Sequence, residues 1–108
     1  MDETLELGGN IELKGFGSMD KSSMVIVKKI IGNYAKKFSE KDKDFSKVTL
    51  DLKGVHEHEN SSKYEIHGKL VTGGKTANAE VIERNLFSAI DAVLKKLEHE
   101  VAHELHQQ

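Results

Sequence analysis

The stretch NLFSAIDAVLKKLEHEVAHEL, residues 85–105, places apolar side chains at Leu86, Ile90, Val93, Leu97, Val101 and Leu105. Steps of three and four residues are the period of one face of an α-helix. Phe87, Ala89 and Leu94 widen that stripe, while Lys95, Lys96, Glu98, His99, Glu100, His103 and Glu104 fall mostly on the other side. Neither Gly nor Pro interrupts the run, and Leu, Ala, Lys and Glu are good helix formers. Such a helix would be about 30 Å long. It is stable only where something covers its stripe, so the upstream chain is read as that cover.

Working back from residue 85, Ala77, Ala79 and Val81 alternate with Thr76, Asn78 and Glu80, the pattern of a half-buried strand. Thr72-Gly73-Gly74-Lys75 reads as a hairpin turn, because glycine tolerates positive φ at both central positions. A strand precedes it, with Tyr64, Ile66, Gly68 and Leu70 inward and Glu65, His67 and Lys69 outward. Glu59-Asn60-Ser61-Ser62 reads as a turn. Before it, Val48, Leu50 and Leu52 alternate with Thr49, Asp51 and Lys53, and this strand can run on through Val55 towards Glu57. SEKDKDFS, residues 39–46, is a charged connection. A helix to about Phe38 has the stripe Met24, Val27, Ile30, Ile31, Tyr34 and Phe38, with Ser18 or Asp20 as its cap. Ile11 to Lys14 reads as the first strand. Residues 1–9 are expected to form a flexible leader and 103–108 a frayed tail, around a single domain.

The order is thus β-α-β-β-β-α. The helix between the first two strands makes them parallel, joined by a right-handed crossover, and hairpins make the rest antiparallel. The expected fold is an α/β two-layer sandwich, a four-stranded mixed sheet with two helices on one face. Glu12, Lys14, Thr49, Asp51, Lys53, Glu65, His67, Lys69, Asn78 and Glu80 then face water.

Composition narrows the function classes. Hydrophobic residues make up 37% of the 108 and charged ones 31%, which suits one solvated domain with a modest core. The absence of cysteine excludes disulfides, thiolate chemistry and Cys-based zinc sites, and fits a cytoplasmic protein. MDETLELGG lacks a signal-peptide apolar run, and no stretch is long enough to span a membrane. A formal net charge of −2 means that any nucleic-acid contact must rest on a local patch. Lys28, Lys29, Lys36, Lys37, Arg84, Lys95 and Lys96, with Lys41 and Lys43, are the candidates for such a patch, against the plainer reading of a solvated helix surface.

The segment AEVIERNLFSAIDAVLKKLEHEV, with this element order, resembles the ribosome hibernation-promoting factors, also called ribosome-associated translation inhibitors, in their short form. There an alanine-bearing strand leads through a short acidic turn into a helix opening Asp-Met-Tyr-Ala-Ala-Ile-Asp, followed by Lys-Leu-Glu. Here Asn85 to Asp91 stands in that register and Lys96-Leu97-Glu98 follows. The resemblance implies a fold like double-stranded-RNA-binding domains, and a non-enzymatic factor that occupies the decoding region of the small ribosomal subunit through basic side chains on its two helices. Lys36, Lys37 and Lys96 match basic positions of the family. Beyond Glu98, where the family carries Arg and Lys, this chain has His99, Glu100, His103 and Glu104. The partner implied is small-subunit rRNA, and a second copy of the chain is the further candidate.

Two rival readings come from other classes. One is a protein-interaction domain that keeps the fold without binding RNA. The other is a metal-dependent hydrolase, since His99-Glu100-Val101-Ala102-His103 spells H-E-x-x-H. Val101 and Leu105 extend the apolar stripe, which turns His99 and His103 towards solvent, and only Glu104 and His106 remain downstream as a third ligand. No cofactor is expected. His99, His103 and His106 are the candidates for adventitious metal, and His56 with His58 read as polar strand-end residues. Gly15-Phe16-Gly17 before a helix hints at a phosphate loop, but Asp20 stands where the anion would sit.

Overall fold

The computed structural model describes residues 4–7, 10–58 and 61–106, with side chains over 10–54 and 63–101. Its elements are β1 (Thr4–Leu7), β2 (Ile11–Lys14), α1 (Lys21–Lys41), β3 (Phe45–His58), β4 (Ser61–Thr72), β5 (Lys75–Glu83) and α2 (Leu86–His106). The sheet has five strands in the order β1-β2-β3-β4-β5, one more than expected. Thr4–Leu7, assigned above to a flexible leader, pairs antiparallel with β2, Leu5 opposite Leu13 and Leu7 opposite Ile11. Four residues ahead of a Gly-Gly pair are too few to show a period, which is why this strand is silent in the sequence. At the other end α2 continues to His106, into the segment expected to fray.

β2 and β3 are parallel, Ile11 opposite Val48 and Leu13 opposite Leu50, and the remaining joins are antiparallel, as the connection lengths require. β3 and β4 form a longer ribbon than expected. Ser61 and Ser62, placed in a turn above, are the first residues of β4, opposite His58 and Glu57. Gly73 and Gly74 have φ of 54° and 80°, the positive angles expected of a two-residue hairpin.

Both helices lie on one face. α1 runs over β3 and against α2, and α2 runs over β4 and β5. Between the layers sit Leu13, Val27, Ile31, Phe38, Val48, Leu50, Ile66, Leu70, Ile90, Val93, Leu94 and Leu97, all 3% exposed or less. Leu52 and Ala79, expected among them, are only half-buried, Leu52 beside a register shift in β3 and Ala79 on the outermost strand. Gly68 is small because α2 crosses there: a Cβ would stand 2.9 Å from Leu97 Cδ1 and 3.0 Å from Val93 Cγ2.

The helix ends are secured locally. The Ser23 amide donates to Asp20 Oδ2 at 3.2 Å and the Ser22 hydroxyl at 2.6 Å, so Asp20 is the cap of α1. Those hydrogen bonds pull its carboxyl down to about 2. The amide of Ser88 donates to Asn85 Oδ1 at 3.0 Å, capping α2. At the far end of α1 the Thr72 hydroxyl donates to Asp42, whose carboxyl lies below its ordinary value chiefly for that reason.

Candidate nucleic-acid interface

Burial of Val27, Ile31, Ala35 and Phe38 fixes the rotation of α1 and leaves Lys28, Lys29, Lys36 and Lys37 exposed. Lys29 and Lys36 are two turns apart, so they fall on one line of the outer surface, with Val25 and Gly32 beside them. Val25 is 66% exposed, and nothing lies within 4 Å of where a Gly32 Cβ would be. Charge on this helix is one-sided, since Lys21, Lys28, Lys29, Lys36, Lys37 and Lys41 oppose only Glu40. Lys37 stands over the Tyr34 ring, 5.1 Å from its centroid, a cation–π contact that leaves its charge available. Lys28, Lys29, Lys36 and Arg84 have no ion-pair partner among the described residues.

α2 is different. Lys95 and Lys96 are outnumbered there by Asp91, Glu98, Glu100 and Glu104. Lys95 lies 3.6 Å from Asp91, one turn earlier, and Lys41 of α1 reaches Glu98 at 3.1 Å. The Tyr34 hydroxyl donates to Asp91 Oδ1 at 2.8 Å. The contacts Tyr34–Asp91 and Lys41–Glu98 advance by seven residues on each helix, so α1 and α2 run in the same direction. Lys96 is on the opposite flank of α2, where its ammonium donates to the Glu80 carbonyl of β5 at 3.1 Å. The structure therefore does not gather Lys36, Lys37 and Lys96 into one stripe. Among the described residues of the two helices, the lysines without an ion-pair or hydrogen-bond acceptor gather on α1, and the seam between the helices is internally neutralised.

Charged side chains on the open face of the sheet also pair with one another. Glu12 pairs with Lys47 at 2.8 Å, which with Lys14 at 3.9 Å holds its carboxyl below the ordinary range. Asp51 meets Lys53 at 3.1 Å, and His67 meets Glu65 at 2.7 Å and Glu80 at 3.4 Å. The Gly15-Phe16-Gly17 segment is a turn rather than a phosphate loop. Phe16 is 1% exposed in the core, and the Asp20 carboxylate already occupies the amides at the start of α1. In the H-E-x-x-H stretch, His99 and Glu100 are exposed, and the side chains of His103 and His106, like those of His56 and His58, lie outside the described residues. Among the described residues no three His, Asp or Glu side chains are arranged to hold a metal ion.

Tyr34 gives the seam a pH signature. Burial, then the bond to Asp91, raises its hydroxyl to about 12. A group raised in the folded state stabilises fully below its unfolded value, near 10, and loses that contribution as pH climbs through about 12. Ultraviolet titration should show one phenolate appearing near pH 12 that is absent from Tyr34→Phe, and the variant should lose less stability than the parent between pH 10 and 12.

The architecture defines the class: an α/β two-layer sandwich of β-α-β-β-β-α order with an extra N-terminal edge strand, and no described helix long and apolar enough to cross a membrane. Solved structures share it. A ribosomal subunit interface protein from Coxiella burnetii matches with a TM-score of 0.56 at 13% sequence identity, over 82% of this chain and 88% of that one. The N-terminal domain of Thermus thermophilus Protein Y matches with a TM-score of 0.51 at 16% identity, over 90% of this chain and 96% of that one. At such identities the likeness establishes the fold. No family model and no curated protein matches the sequence.

Proposed function

We propose that this chain is a non-enzymatic, cytoplasmic, ribosome-associated factor that lays α1 against small-subunit rRNA and obstructs the decoding region by occupying it. The observation that carries the reading is the uncompensated run Lys28, Lys29, Lys36 and Lys37 on the open side of α1, in a fold shared with a ribosomal subunit interface protein. Lysines on one helix face track phosphates without reading bases, so binding rests on counterion release. Lys95, Lys96 and Lys41 are secondary, because each already has an acceptor.

Co-sedimentation with small ribosomal subunits tests this. Four phosphate contacts correspond to a fall in affinity of about a hundredfold between roughly 50 and 200 mM salt. Reversing Lys28, Lys29, Lys36 and Lys37 to Glu should abolish pelleting with an unchanged circular dichroism spectrum, while Lys95→Glu should cost little. The acidic surface of α2 favours one second reading, a protein-interaction domain of the same fold. Failure of the parent protein to pellet even at low salt would decide for it.

A further inference from the structure

Among the described residues no strand pairs with the outer edge of β5. β5 closes the sheet, its register with β4 is unbroken from Lys75 to Glu83, and the protein contains no proline. Bulges and prolines are common devices that blunt such an edge, and this strand has neither. We infer that β5 is a self-pairing edge: a second copy of this chain adds its β5 antiparallel about Ala79, making one continuous sheet across a two-fold axis.

The register follows from the hairpin. A two-residue turn closes on a hydrogen-bonded pair, here Thr72 with Lys75. Hydrogen-bonded pairs alternate along the ladder, so Thr76, Asn78, Glu80 and Ile82 point their amides and carbonyls outward. Lys96 confirms the direction by donating to the Glu80 carbonyl from the outer flank. That ammonium is a cover on one carbonyl only, at the end of a flexible exposed side chain. An open depression of about 440 Å³ lies beside the middle of the same edge under α2, lined by Asn78, Ala79, Glu80, Lys96, His99 and Glu100.

With outward groups facing outward groups, the symmetric registers near the strand centre turn on Asn78, Ala79 or Glu80. Centring on Glu80 sets that carboxylate against its own copy. Centring on Asn78 sets Lys75 against Val81 and Ile82 against Gly74. Centring on Ala79 sets Lys75 against Glu83, Thr76 against Ile82, Ala77 against Val81 and Asn78 against Glu80, each pair occurring twice. Opposite charges and β-branched pairs directly across strands stabilise a sheet, and like charges there destabilise it. The Ala79 register alone pairs the exposed Lys75 and Glu83, and it covers Ile82, which is 56% exposed. An interface in which one patch meets itself is the usual form of a two-fold dimer.

Sedimentation equilibrium of the full chain tests the pairing, with crosslinking to fix the register. The parent should show a concentration-dependent dimer. Lys75→Glu and Glu83→Lys should each weaken it at least tenfold, and the double exchange should restore it, since the two side chains meet only across the axis. The protein has no cysteine, so Ala79→Cys introduces one thiol. Its copies would face each other with Cα atoms about 4.5 Å apart, within reach of a disulfide. Ala79→Cys should therefore crosslink under mild oxidation far faster than Asn78→Cys or Glu80→Cys. A monomer at every concentration, equal crosslinking at the three positions, or no recovery in the double exchange overturns the inference.

Discussion

Leu97→Ala should lower the stability of this protein by about 2–5 kcal/mol and its Tm by on the order of 10 °C. Leu97 is 0% exposed and sits where α2 crosses β4, with Cδ1 2.9 Å from the place a Gly68 Cβ would take. The neighbours that would have to fill the space, Leu50 and Val93, are themselves 0% exposed and anchored on different elements, so the site collapses poorly. The cost is therefore the transfer of the lost side-chain carbons plus that of the cavity left behind. Urea unfolding monitored by circular dichroism measures it. A loss below about 1 kcal/mol would mean that α2 is not the central packing element.

Gly15→Ala should cost about 2–4 kcal/mol through a different cause. Gly15 has φ of +80°, which side-chain-bearing residues rarely adopt, and an added Cβ would stand 2.5 Å from the Leu52 carbonyl oxygen. That oxygen belongs to the backbone of β3 and cannot rotate aside. Gly54→Ala is the matched control, because nothing lies within 4 Å of its Cβ position, and it should change stability much less. Equal losses in the two variants would show that the tight approach of the β2–α1 turn to β3 has no energetic weight. Since this turn sets where α1 leaves the sheet, Gly15→Ala should also weaken any binding that depends on the lysines of α1.

The parts of the fold that could be read in advance are those with a period or an obligatory residue. The stripe Ile90, Val93, Leu97 and Val101 located α2, and Gly73-Gly74 located a hairpin whose φ angles are both positive. Parallel pairing of β2 with β3 followed from a helix lying between them. What escaped was short or ambiguous. Thr4–Leu7 owes its strand conformation to β2, and Ser61-Ser62 reads locally as a turn although β3 draws both residues into the ladder. At the candidate site, the lysines were visible as residues but their partners were not. Asp91–Lys95 is an i,i+4 pair that sequence can show, whereas Lys41–Glu98 and Tyr34–Asp91 join residues 57 apart. In the sequence Lys96 is one more cation on the polar side of α2, and the packing of α2 over β5 is what turns it to the Glu80 carbonyl.

The parallel pairing of β2 with β3 also bears on how the chain reaches this structure. β3, β4 and β5 are joined by hairpins, so their contacts are close in sequence and form early at small entropic cost. Ile11 must instead find Val48, with the whole of α1 held in the loop between them. Because the chain contains no proline, prolyl isomerisation adds no slow phase of its own. Refolding should then be paced by closure of that one long loop, and the cationic helix arrives in place with it. A partly unfolded chain would present its hairpins first and acquire its basic surface last.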